Sequence, residues 1–78
     1  MRKYEIFDGL NKLITSGYEQ DEDSALWTCL NYIDSKANDF NTYFNDGFYK
    51  SDHEYVTIYY VEDKEGCLVY TFVITEVF

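Results

Sequence analysis

The sequence predicts an α+β domain in which two or three helices pack on one face of a C-terminal antiparallel β-hairpin, with room for a third short strand. Three observations carry that expectation. Residues 54–78 hold two runs dense in β-branched and aromatic residues, Tyr55–Val61 and Cys67–Phe78, on either side of the turn-like Asp63-Lys64-Glu65-Gly66. Residues 24–46 carry an apolar stripe at Leu26, Leu30, Ile33, Ala37, Phe40 and Phe44, the spacing of one helix face. Residues 3–16 place Ile6, Phe7, Leu10, Leu13 and Ile14 at similar spacing.

In chain order, 3–16 reads as a short amphipathic helix stopped by Ser16-Gly17, with Gly9 as a weak point in its interior. An acidic linker, 18–23, follows, and Asp23 or Ser24 is placed to cap the next helix. Helix 24–46, widened by Trp27 and Tyr43, has its weak spot at 36–39, where Asp39 can cap a second short helix if the chain breaks. Gly47 ends it, and 47–53 is a loop unless Phe48 and Tyr49 open an extra strand. No repeat stands out.

The hairpin 54–78 carries a register argument. A type I turn from Asp63 with Gly66 in the left-handed region is a three-residue loop that pairs Asp63 with Cys67. Val56, Ile58 and Tyr60 then share a core face with Leu68, Tyr70, Phe72 and Ile74, and the stripe of helix 24–46 covers them. Tyr55, Tyr59, Val73 and their odd-numbered neighbours fall on the opposite face, a docking surface if nothing covers it.

The chain has 78 residues, enough for a single domain (1–78) with a small core. Fifteen Asp and Glu against six Lys and Arg give a net charge of −9, which opposes compaction and repels nucleic acid and anionic membranes. The partner that this charge selects is a protein with a basic surface, above all one whose basic groove normally holds nucleic acid. The N-terminus lacks the apolar run of a signal peptide and no stretch approaches roughly 18 apolar residues, so the expected location is the cytoplasm. Cys29 and Cys67 are expected as reduced, buried thiols, and two cysteines with one histidine cannot complete a zinc site.

Motifs for chemistry are absent. His53 lies between Asp52 and Glu54 without a nucleophile at motif spacing, the Asp39–Gly47 segment has Tyr43 at the fifth position of a calcium loop, its glycine late and no closing glutamate, and no glycine-rich phosphate loop exists. The expected class is therefore a non-enzymatic binding protein without cofactor or metal. Carboxylates on helix and linker surfaces can stand in for phosphates, which makes Glu19, Asp21, Glu22, Asp23, Asp34, Asp39 and Asp46 the candidate partner-binding residues. In size and composition the chain is similar to phage-encoded inhibitors of restriction, CRISPR or repair enzymes. The resemblance reaches no motif, so it carries over no site residue; it implies a DNA mimic acting in the host cytoplasm. The alternative is an interaction module, such as an immunity protein, antitoxin or adaptor, docking through Tyr55, Tyr59 and Val73. A homodimer through the same face stands third.

Overall fold

The computed structural model describes the backbone of residues 1–36, 48–63 and 65–78, and the side chains within these ranges except 34–36, 48 and 49. Among the described residues the elements are β1 (Arg2–Asp8), β2 (Leu13–Glu19), α1 (Glu22–Lys36), β3 (Phe48–Asp52), β4 (Val56–Glu62) and β5 (Leu68–Glu76). The strands form one antiparallel sheet in the order β2-β1-β5-β4-β3. Helices packed on a C-terminal hairpin are thus not the architecture, which among the described residues is mostly sheet with one helix laid over β1, β2 and β5.

The largest correction is at the N-terminus, where the expected helix 3–16 is the hairpin β1–β2. Asp8 decides it. Its carboxylate accepts from the backbone N–H of Leu10 (2.8 Å) and Lys12 (3.0 Å), its own N–H donates to the Lys12 carbonyl (2.9 Å), and Asn11 takes a left-handed φ of 62°. Aspartate and asparagine are suited to these two jobs, and together they turn the chain back sooner than a helix could form. Of the five apolar residues that suggested the helix, Ile6 alone is fully buried, whereas Leu10, Leu13 and Ile14 are exposed.

The turn between β4 and β5 repeats the same bonds. The Asp63 carboxylate accepts from the N–H of Glu65 and of Cys67 (both 2.9 Å), Asp63 N–H donates to the Cys67 carbonyl, and Gly66 takes the left-handed position with φ of 84°. Both hairpins then slip register at the same place. Phe7 faces Leu13 but Ile6 faces Thr15, and Glu62 faces Leu68 but Val61 faces Tyr70, so Ile14 and Val69 are the extra residues of two equivalent β-bulges. Residues 6–15 and 61–70 are therefore one supersecondary unit used twice, which the sequence shows only as Asp and Leu five apart. The two turns lie side by side, so close that a side chain on Gly9 would meet the Leu68 carbonyl oxygen at 2.5 Å.

The bulge at Val69 overturns the expected hairpin faces. Asp63 does pair with Cys67, but one extra residue reverses the alternation beyond it. Thr57, Tyr59 and Val61, not Val56, Ile58 and Tyr60, share a face with Tyr70, Phe72 and Ile74. That face, joined by Tyr4 and Ile6 from β1, meets Ala25, Cys29, Leu30 and Ile33 of α1 to make the core. Gly17 stands opposite Tyr4, whose ring occupies the space where a side chain would be.

Helix α1 starts earlier than expected, with Asp21 rather than Asp23 or Ser24 as its cap: the Asp21 carboxylate accepts from Ser24 N–H at 2.8 Å. Its buried stripe runs through Ala25, Cys29, Leu30 and Ile33, while Trp27, expected to widen that stripe, points out and is 65% exposed. Cys29 is buried but Cys67 is exposed. The remainder of the expected helix, residues 37–46 with Asp39 and Asp46, lies outside the described residues. The expected loop 47–53 contains β3, which extends the sheet beyond β4.

Candidate functional site

The antiparallel register collects acidic residues at one end of the sheet. Arg2 of β1 faces Glu19 of β2 and Glu76 of β5, while Asp52 of β3 faces Thr57 of β4, so these strand ends lie together, opposite the two bulged turns. Helix α1 begins at this end because it follows β2 after only two residues, which brings Asp21, Glu22 and Asp23 to the same rim; Glu54 sits in the β3–β4 turn, at this end of the sheet.

Several of these carboxylates hold the fold together. Glu19 accepts the Thr28 hydroxyl proton at 2.9 Å, tying β2 to the helix, and Arg2 lies 3.6 Å from Glu76. The buried Thr57 hydroxyl lies 2.7 Å from a Glu22 oxygen and 3.2 Å from an Asp52 oxygen, and its single proton serves one at a time. Lys50 makes the pair tolerable, with its ammonium 3.6 Å from Glu22, 3.4 Å from Asp52 and 5.8 Å from the centre of the Tyr59 ring. The Tyr59 oxygen first, then Asp52 and Glu22, raise the Lys50 pKa; near neutral pH, with the phenol uncharged, the two carboxylates do the work. Burial, then the Glu22 charge, raises the Tyr59 hydroxyl in turn. Hydrogen bonds from the Ser24 backbone and side chain lower the Asp21 pKa.

What remains outward from the candidate set is narrower than the sequence suggests. Asp21 and Asp23 are exposed, as are Asp52 and Glu54, which were not singled out; Glu19 and Glu22 are half-buried and engaged. The Asp34 side chain, Asp39 and Asp46 lie outside the described residues. Of the alternative set, Tyr55 is exposed and stacks edge-on with Phe78 at 5.0 Å, Tyr59 is buried in the helix-side core, and Val73 is half-buried on the opposite face. The three do not form one surface, because the Val69 bulge parts Tyr59 from Val73.

Two apolar surfaces replace that trio. On α1, an open groove of about 310 Å³ is lined, among the described residues, by Asp23, Leu26, Trp27 and Leu30, of which Leu30 is buried and Trp27 exposed. The far side of the sheet, away from the helix, carries Phe7, Val56, Ile58, Tyr60 and Val73, all half-buried. Thr71 lies among them with a buried hydroxyl that has no hydrogen-bond partner among the described residues.

Reactive groupings are sparse among the described residues. Ser51 Oγ, near the end of β3, lies 3.4 Å from Nε2 of the exposed His53, and the burial of Cys29 pushes its thiol up to about 12, which keeps it protonated and inert. Asp63, Glu65 and Cys67 bring possible ligand atoms within 4.8 Å of one another, but the Asp63 carboxylate is already engaged by two backbone N–H groups of its own turn. No helix among the described residues is long and apolar enough to cross a membrane. No protein-family model, curated protein or solved structure matches the chain.

Proposed function

We propose that the chain is a small, acidic, non-enzymatic inhibitor that occupies the basic groove in which a nucleic-acid enzyme of a defence system holds its substrate, a DNA mimic of the anti-restriction or anti-CRISPR kind. The observation that carries this reading is the acidic end. Asp21, Asp23, Asp52 and Glu54 are exposed there, and Asp23 and Glu54 have no ionic partner among the described residues. Carboxylates fixed on a helix start and a strand turn present anionic oxygens to a basic groove with little ordering left to do on binding. A second reading, a module that docks through a sheet face, is favoured by the far side of the sheet, where Ile58, Tyr60 and Val73 are covered by no described element.

The test is binding kinetics at two salt concentrations with a partner captured from host extract. Under the mimic reading, Asp21→Asn, Asp23→Asn and Glu54→Gln combined slow association several-fold, and raised salt does the same to the wild type. Under the second reading Ile58→Ala and Val73→Ala raise the off-rate and salt has little effect. Wild-type kinetics in the carboxylate variant would sink the mimic reading.

A further inference from the structure

We infer that the groove on α1 is the seat of an arginine side chain from the basic partner, with Trp27 as the stacking wall and Asp23 as the charge that fixes the guanidinium. The inference rests on the reading that the partner is basic, and it names the place and chemistry of one contact.

Three features of the groove choose the occupant. Its floor, Leu26 and the nearly buried Leu30, is apolar, so it accepts a methylene stem or an aliphatic side chain. Its wall is an indole 65% exposed on a helix that has a core of its own to fill. Tryptophan is among the residue types that anchor interfaces most often. Its rim is the Asp23 carboxylate, one helical turn before Trp27 and exposed, with Asp21 next to it. A ligand that satisfies all three has an aliphatic stem and a flat cationic head. Arginine does so better than lysine, because guanidinium stacks on an aromatic face and can give a carboxylate two parallel hydrogen bonds. The net charge of −9 excludes an acidic occupant and disfavours a second copy of the chain.

Trp27 is the chain's single tryptophan, so its emission reports directly on the groove. The probes are three short alanine-based peptides free of aromatic residues, carrying leucine with arginine, with lysine, or with citrulline, the neutral shape-match of arginine. Each is titrated into the full chain at low salt, with fluorescence and calorimetry read together. The expected result is a saturable blue shift with the arginine peptide, weaker binding of the lysine peptide, and binding of the citrulline peptide lowered by roughly tenfold or more. Asp23→Asn should weaken the arginine peptide by about the same factor while circular dichroism stays that of the wild type. Trp27→Ala, followed by calorimetry alone, should also weaken it.

The contrary results separate the two levels of the reading. Heat of binding without any change in Trp27 emission means that basic peptides bind elsewhere, and overturns the groove while leaving a basic partner. Equal binding of the citrulline peptide makes the groove merely apolar and overturns the arginine. An emission shift that follows protein concentration without peptide makes a second copy the occupant and likewise overturns it. Absence of binding by every cationic peptide overturns both the groove and the basic partner.

Discussion

The two faces of the sheet are built from the same strands with similar residues, yet they do different work. On the helix side Ile6, Val61 and Phe72 are completely buried, and Ala25, Cys29 and Ile33 close over that face. On the far side Phe7, Ile58, Tyr60 and Val73, no less apolar, are only partly buried. Hydrophobicity alone does not separate the faces; the two bulges do, by setting which residues face the helix. The far face and the outer edge of α1 thus keep apolar side chains partly in water while the core under the helix is closed.

Adjacent residues of one strand give the largest contrast. Phe72→Ala should cost about 3–5 kcal/mol, most of the stability of a domain this small, whereas Val73→Ala on the far face should cost under about 1.5 kcal/mol. Urea melts of the two variants read the difference, and equal losses would break the assignment of faces. Next in size is Gly9→Ala. The added methyl would press on the Leu68 carbonyl between the two bulged turns, with an expected cost of about 1–3 kcal/mol, and an unchanged melt would show that the turns are not in contact.

Thr71→Val should act in the opposite direction. It replaces a buried hydroxyl that has no partner among the described residues, and a gain of about 1 kcal/mol is expected in the same melts. A loss would mean that the hydroxyl is bonded, which would make the far face more ordered than its half-exposure implies.

The smallest effect concerns the acidic rim. The folded Asp21 carboxyl has its pKa lowered from the ordinary 3.8 by its bonds to Ser24. Its capping contribution is therefore complete above the unfolded value and is lost as pH falls through the lowered folded value. Melting midpoints taken from pH 5 downward should fall less steeply in Asp21→Asn, which keeps a capping side chain but does not titrate, than in the wild type. Parallel curves would place the cap elsewhere.

How much of this was legible depended on which signal announced each turn. Gly66 is the usual left-handed residue, and it made the Asp63–Cys67 loop readable; Asn11 performs the same task in the Asp8–Lys12 loop, and there chance helical spacing of Leu10, Leu13 and Ile14 hid the hairpin. The bulges at Ile14 and Val69 are invisible to alternation arguments, because one unpaired residue costs no change in composition and yet reverses every side chain beyond it. Helix α1 was readable from its stripe, but the outward turn of Trp27 was not, since an aromatic beside a leucine stripe reads as core. At the candidate site Asp21 and Asp23 were visible as charge. Asp52 and Glu54 are not legible as part of it, because their place at this end of the sheet follows from β3, an edge strand whose apolar signal is short.

The central claim, that the acidic surface stands where nucleic acid would stand, is tested most directly by displacement. Labelled duplex DNA is bound to the partner captured from host extract, its anisotropy is followed, and the chain is added at constant salt. The account predicts release of the DNA at one chain per partner and weaker release by the variant neutralised at Asp21, Asp23 and Glu54. A ternary complex that keeps its DNA, with full binding of the chain, would contradict it.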